Sequence, residues 1–158
     1  MTEQDEIFMR RAIELAQNGV DSGAGGPFGA VIVRNGEIVG EGWNCVTSTN
    51  DPTAHAEVVA IRRACESLKT FQLDDCVIYA SCEPCPMCLG AIYWARPARL
   101  VYACTKTDAA EIGFDDRFIY EEIERHPDER RVATETLLRE EGLKVFRNWA
   151  EKVNKIEY

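Results

Sequence analysis

The spacing of apolar positions predicts alternating helices and strands along the first two thirds of the chain. Between positions 6 and 20 apolar side chains recur every three or four residues, which is the period of an amphipathic helix. Two apolar runs, at 28–33 and 37–44, flank Asn35-Gly36, and Asn-Gly between such runs predicts a hairpin. The same criteria predict a helix after Asp51-Pro52-Thr53, a strand over 77–80, a helix over 86–95 and a strand over 99–105.

The order of these elements indicates an α/β fold. Helices lie between successive strands, which predicts at least one parallel strand pair in a sheet covered by helices. In the last third the pattern predicts a short helix over 117–124, an edge strand over 132–138 and an apolar-striped helix after Gly142. No repeat, low-complexity segment or linker divides the sequence, so we expect one domain spanning residues 1–158.

Charge and cysteine content narrow the function classes. Lysine and arginine total 18 and aspartate and glutamate 27, a formal net charge of −9 that disfavours binding to nucleic acid or anionic membranes. No apolar run approaches the ~20 residues of a membrane span, and the N-terminus lacks the basic and apolar regions of a signal peptide. The seven cysteines, an odd number spread through apolar segments, favour a reducing compartment. We therefore expect a cytoplasmic protein without nucleic acid or membrane partners.

Cys85 and Cys88 carry the clearest candidate chemistry. They lie three positions apart at the start of a predicted helix, so they share one face. Pro86 suits the first helical position, because its missing N–H would have no partner there. The positive end of the helix favours thiolate over thiol, and thiolate is the form that binds a metal.

His55 and Glu57 lie at the start of another predicted helix. The chain has two histidines, and His126 lies in a charged run, so His55 is the strong candidate for a third ligand. One histidine and two thiolates leave a tetrahedral zinc ion with an open position for water, whose pKa falls from 15.7 to roughly 7. Glu57 can then act as general acid and base. Residues two apart point in nearly opposite directions within a helix, so His55 must lie just before it to share a cleft with Glu57.

Two other interpretations of the cysteine pair stay open at this point. Cys-x-x-Cys alone is equally typical of a redox pair or of half a structural zinc site. Cys82 is the nearest candidate for a fourth structural ligand, but it precedes a proline-containing turn and the chain has no second Cys-x-x-Cys pair. The combination with His55 and Glu57 favours a catalytic zinc ion.

His-x-Glu followed by Pro-Cys-x-x-Cys is the known signature of zinc nucleobase deaminases. The chain resembles the cytidine-deaminase-like superfamily and, more closely, the small bacterial guanine deaminases. The resemblance is carried by the stretches 25–30, 50–57, 81–95, 107–110, 113–116 and 155–158. It implies a three-layer α/β/α fold with a mixed five-stranded sheet of the cytidine-deaminase-like type.

The resemblance also implies an activity and a set of site residues. The activity is hydrolysis of guanine to xanthine and ammonia, with one zinc ion on His55, Cys85 and Cys88 and with Glu57 transferring protons. The residues expected to contact or close over the purine are Phe28, Asn44, Trp94, Asp116 and Tyr158, and Asp116 is also expected to be catalytic. The family further implies a homodimer whose C-terminal segments, about residues 140–158, exchange between subunits.

The zinc signature alone does not select the base. A tRNA adenosine deaminase uses the same motif, but it must hold an anticodon loop, and the net charge of −9 disfavours that substrate. Deaminases of cytosine, cytidine or guanosine remain alternatives. Outside enzymes, the chain could be a structural zinc or redox module.

Overall fold

A mixed sheet of four strands organises the part of the chain that carries the candidate residues. The computed structural model describes residues 1–158. The strands, in the spatial order β2-β1-β3-β4, are β1 (Gly29–Arg34), β2 (Glu37–Trp43), β3 (Cys76–Cys82) and β4 (Arg99–Cys104). β1 pairs antiparallel with β2 and with β3, whereas β3 and β4 are parallel. The predicted hairpin and the predicted parallel pair are both confirmed.

The helices occupy most of the remaining chain. They are α1 (Glu3–Asp21), α2 (Val46–Thr49), α3 (Ala56–Leu68), α4 (Pro86–Ala95), α5 (Lys106–Glu111), α6 (Arg117–Glu124) and α7 (Arg139–Glu151), with a 3₁₀ turn at Pro127–Glu129. The chain contains no helix with both the length and the apolar character needed to cross a bilayer.

Each face of the sheet is covered by helices, which confirms the three-layer α/β/α fold. On one face Ala30 and Ile32 of β1 pack with buried residues of α3 and α4. On the other face Val31 and Val33 pack with Phe8 and other buried residues of α1. Successive strand residues point to opposite faces, so β1 contributes to both cores, as expected of a central strand.

The predicted number of strands is wrong, because the sheet has four strands rather than five. The segment 132–138, predicted as an edge strand, contains no regular structure. A strand forms only where its backbone groups find a partner, and residues 117–158 contain no other strand that could supply one.

Contacts divide the chain into two compact units, Met1–Asp116 and Arg117–Tyr158. The first unit holds the sheet, and the second consists of α6, the 3₁₀ turn and α7. The short helix over Arg117–Glu124 is confirmed. The last helix starts at Arg139, so Gly142 lies inside it rather than before it.

Asp5 ties α1 to two strands across one face of the sheet. Its carboxylate accepts hydrogen bonds from the Tyr79 hydroxyl at 2.6 Å and from the Arg99 guanidinium at 2.9 and 3.2 Å. With Thr2 it also forms a capping box at the start of α1. Arg99 first, and then Tyr79, hold the pKa of this buried carboxyl well below its ordinary value of 3.8.

We predict that Asp5→Asn lowers the free energy of unfolding at pH 7 and weakens its dependence on pH below about 4. Charged Asp5 stabilises the fold above the carboxyl's unfolded pKa, and this stabilisation is lost as the pH falls toward the lower folded pKa. Urea unfolding at a series of pH values measures both effects. Asp74→Asn, at an exposed aspartate, is the matched control, and equal acid sensitivity of the two variants would contradict the prediction.

Candidate active site

Three potential metal ligands converge at one point of the first unit. The Nδ1 atom of His55 lies 3.5 Å from the Sγ atoms of both Cys85 and Cys88. All three ligand atoms lie within 4.8 Å of one another. Nitrogen and sulfur ligands of a tetrahedral zinc ion, at bond lengths of about 2.0 and 2.3 Å, are separated by about 3.5 Å. The donor types and their spacing therefore fit one zinc ion.

The starts of two helices hold these ligands. His55 precedes α3 in an extended conformation, with φ −72° and ψ 154°, as the sequence requires if His55 and Glu57 are to share a cleft. Cys85 precedes α4 in a similar conformation, Pro86 takes the first helical position and Cys88 lies buried in the first turn. Both positive helix ends thus lie beside the thiols, where they favour thiolate.

Electrostatics within the cluster favour a thiolate at Cys85. Hydrogen bonds from the Cys88 thiol and then from His55 lower the pKa of Cys85 to about 4. The same interaction with Cys85, together with burial, raises the pKa of Cys88. All seven cysteines are free thiols. No disulfide therefore joins Cys85 to Cys88.

Glu57 lies beside the ligand cluster and is almost fully buried. It is 7% exposed, and its carboxyl is hydrogen-bonded to the Cys88 thiol. Burial raises the pKa of Glu57, because the charged form loses its hydration. A buried carboxyl that holds a proton more tightly than usual suits a group that must take up and release protons near neutral pH.

Cys82 does not belong to the ligand cluster. Its thiol donates to the carbonyl oxygen of Thr105 at 3.5 Å, and burial raises its pKa to about 11. The cluster therefore offers three protein ligands, His55, Cys85 and Cys88. A closed structural site would need a fourth, so the arrangement favours an open, catalytic centre.

Residues 2–104 match the family described as the cytidine and deoxycytidylate deaminase zinc-binding region. The chain belongs to this family. The matched segment contains the three ligands and Glu57.

Individual relatives extend the match beyond that region. Over 153 residues the chain is 58% identical to the guanine deaminase of Bacillus subtilis (strain 168), covering 97% of this chain and 98% of that protein. The X-ray structure of guanine deaminase from Bacillus subtilis is similar with a TM-score of 0.95 and 57% identity, covering 100% and 99%. NE0047 in complex with 2,6-diaminopurine has a TM-score of 0.68 and 34% identity, covering 71% and 62%. The tRNA-specific adenosine deaminase of Haemophilus influenzae is 40% identical over 121 residues, covering 73% and 69%.

Asn44 is buried, and the oxygen of its side-chain amide is hydrogen-bonded within the protein. Its Oδ1 accepts hydrogen bonds from the backbone N–H groups of Gly26 and Val46, both at 3.2 Å. The amide nitrogen makes no hydrogen bond within the protein, so it can donate to a ligand. Gly25 is required here, because a Cβ atom at this position would overlap Oδ1 of Asn44.

Phe28 and Asp116 also lie in the first unit of this deaminase. Phe28 is half-buried against the core and meets the ring of Phe114 edge to face. Asp116 is half-buried, and burial, followed by the negative charge of Cys85, raises its pKa. The charge effect indicates that Asp116 lies within electrostatic range of the ligand cluster.

Trp94 and Tyr158, the other expected substrate contacts, are exposed. Trp94 is 65% exposed, and it lies two residues past buried Ile92, hence on the opposite face of α4. Tyr158 belongs to the second unit. Their assignment to the substrate stays a prediction.

Gly42 is a site-supporting residue that sequence reasoning missed. A Cβ atom there would overlap the carbonyl oxygen of Ala56, which lies between His55 and Glu57, and would come within 2.6 Å of the Ala60 nitrogen. Glycine thus lets the first turn of α3 lie directly on β2. The signal was available, because alternate glycines at 40 and 42 face alanines spaced four apart at 56, 60 and 64.

We predict that Gly42→Ala reduces zinc content and lowers deaminase kcat/KM by about 100-fold, the cost expected of a displacement near 1 Å. The added methyl group pushes the first turn of α3, and with it His55 and Glu57, away from the sheet. Metal analysis and steady-state kinetics measure the two effects.

Gly90→Ala is the matched control. It makes the same change in α4, where the added Cβ atom has no neighbour within 4 Å. Wild-type zinc content and activity in Gly42→Ala would show that α3 tolerates the methyl group.

Proposed function

We propose that this chain is a zinc-dependent guanine deaminase, which hydrolyses guanine to xanthine and ammonia. The observation that carries the substrate assignment is the extent of the match. Similarity to the Bacillus subtilis guanine deaminase covers 98% of that protein. The zinc-binding region ends at residue 104, and the tRNA-specific adenosine deaminase of Haemophilus influenzae matches over 121 residues.

The residues that would hold zinc are His55, Cys85 and Cys88. When bound there, zinc supplies a Lewis acid that lowers the pKa of water, so that hydroxide is available at neutral pH. Three protein ligands leave room for that water in a tetrahedral site.

Glu57 would move the protons of the reaction. Hydrolysis forms a C–O bond at C2 of guanine and breaks the C–N bond to the amino group, so one proton leaves water and another must reach the departing amine. The Glu57 carboxyl lies beside Cys88 and has a raised pKa, which suits both transfers. Asp116 is a second carboxyl with a raised pKa, and the charge of Cys85 acts on it. It would assist these proton transfers.

The purine would lie between an aromatic face and a hydrogen-bond donor. Phe28 offers a ring for stacking, and the free amide nitrogen of Asn44 can donate to an acceptor on the base. Trp94 and Tyr158 remain candidates for the outer wall of the pocket. The complex of the relative NE0047 with 2,6-diaminopurine supports a free purine base as the ligand.

The assembly that we propose is a homodimer in which segments near 140–158 exchange. Within the second unit, α7 has no buried residue and leaves Val145, Phe146 and Trp149 exposed. An apolar stripe of this kind normally covers another surface. The 158 residues would then act as one deaminase domain per subunit. The free cysteines suit the cytoplasm.

We predict that the wild-type protein releases ammonia from guanine far faster than from guanosine, adenine, cytosine, cytidine or tRNA. In Glu57→Gln, turnover should fall by about 10²- to 10⁴-fold because the proton carrier is lost. Zinc content should stay at one per subunit, because Glu57 is not among the three ligands. A coupled ammonia assay and metal analysis of both proteins test the proposal.

Each result separates the alternatives. If the protein deaminates tRNA or a pyrimidine faster than guanine, that compound, and not guanine, is its substrate. Unchanged ammonia release in Glu57→Gln would remove Glu57 from the mechanism, and zinc without any turnover of the panel would favour a structural role.

Deletion of residues 156–158 should reduce activity on guanine more than zinc content. If the segments exchange, the intact tail of one subunit completes the partner's site. A mixed dimer of Glu57→Gln and the deletion variant, purified through two different tags, should therefore recover about half of wild-type activity per dimer. An inactive mixed dimer would show that the tail acts on its own subunit, and full activity of the deletion variant would exclude the tail from the site.

A further inference from the structure

Two aromatic rings of the first unit meet above a glycine. The ring centroids of Phe28 and Phe114 are 5.0 Å apart with an interplanar angle of 88°, an edge-to-face pair. A Cβ atom on Gly26 would lie 3.0 Å from the tip of the Phe114 ring and 3.2 Å from two ring atoms of Phe28. A side chain at position 26 would press on both rings, so glycine is what lets them meet.

The backbone around Phe28 is held by hydrogen bonds, whereas its ring is only half-buried. The Phe28 N–H donates to the Gly26 carbonyl at 2.8 Å, and the Phe28 carbonyl accepts from the Asn44 N–H at 3.0 Å. The ring packs against the buried core and is itself half-buried. Besides the core, the Phe28 ring contacts the edge-to-face ring of Phe114, which can restrain its tilt.

The turn at the end of α5 places Phe114 against Phe28. Its N–H donates to the carbonyl of Ala109 at 3.0 Å, and Gly113 has φ +94°, a conformation that favours glycine. The same loop continues to Asp116 two residues later. Phe114 is 47% exposed, so burial in the core does not account for its position.

We propose that Phe114 is a positioning residue for the purine. Its edge fixes the tilt of Phe28, so that the open face of Phe28 is preorganised to stack on the base. The same contact anchors the loop that carries Asp116 to the stacking wall. The inference deepens the proposed function and rests on it, because Phe28 stacks on guanine only if guanine is the substrate. Phe114 itself acts through Phe28 and touches no reacting atom.

The test uses Phe114→Leu, which keeps an apolar side chain but removes the flat ring, and Phe114→Tyr, which keeps the ring. We expect Phe114→Leu to raise KM for guanine by about 3- to 10-fold, the range for loss of an aromatic pair. The kcat should change less, and zinc content and Tm should match wild type. Phe114→Tyr should restore KM to within about twofold, because the ring edge is retained.

A double-mutant cycle separates positioning from general loss of packing. In a Phe28→Leu background the substitution Phe114→Leu should add little, because no ring is left to orient. Phe71→Leu is the matched control, since Phe71 is 51% exposed and lies between α3 and β3. It should leave KM unchanged.

The outcomes distinguish this inference from the proposed function. Failure of the wild-type protein to deaminate guanine would overturn both. Wild-type turnover of guanine with an unchanged KM in Phe114→Leu, or with additive effects in the cycle, would overturn the role of Phe114 alone.

Discussion

The position of the site depends on how closely α3 lies on the sheet. Ala56, Ala60 and Ala64 are fully buried along one side of the helix, and they face Gly40 and Gly42 of β2. At both glycines even a Cβ atom would come within contact distance of the helix backbone. Small residues on both surfaces thus allow backbone to pack on backbone. Because His55 precedes this helix and Glu57 lies in its first turn, the packing distance also sets the positions of the candidate zinc ligand and the candidate proton carrier.

A second helix, α4, connects the parallel strands β3 and β4 and packs against the same core. Buried Ile92 and Ala95 hold α4 against the core that also contains the alanines of α3. The starts of both helices lie beside the cysteine pair, where their positive ends favour thiolate, and Cys85 is the cysteine whose pKa is lowered. Burial has the opposite effect on Glu57, whose pKa rises. One packed corner therefore lowers the pKa of the Cys85 thiol and raises the pKa of the nearby Glu57 carboxyl, and opposed shifts of this kind are typical of functional sites.

Much of the candidate metal site was predictable from the sequence, because the residues that indicate it form short local motifs. A cysteine pair three apart, proline at the first helical position and a single suitable histidine are read directly from the sequence. The conformation of His55 followed from helix geometry. The prediction of a fifth strand was wrong, because a sequence pattern typical of a strand does not show whether a partner strand is present. Helix α5 was missed although Thr105 and Asp108 form a capping box, a signal that is written in the sequence.

The proposed substrate contacts were less predictable because the residues involved are far apart in the sequence. Gly26, Phe28, Asn44 and Phe114 come from three separate stretches, and their contact depends on the chain path between them. The amide oxygen of Asn44 is committed to the backbone, which leaves its nitrogen for a ligand, and no sequence pattern reveals that division.

The boundary of the family match separates the candidate metal ligands from the loop that carries Phe114 and Asp116. The zinc-binding region ends at residue 104, before Phe114 and Asp116. The match to the tRNA-specific adenosine deaminase of Haemophilus influenzae spans 121 residues, whereas the match to the Bacillus subtilis guanine deaminase spans 153. The three candidate zinc ligands thus lie within the matched region, whereas Phe114 and Asp116 lie on a later loop, and loops tolerate change better than the elements they connect. The proposed contacts of Phe114 and Asp116 can therefore differ between relatives without displacing the helices that hold the candidate zinc ligands.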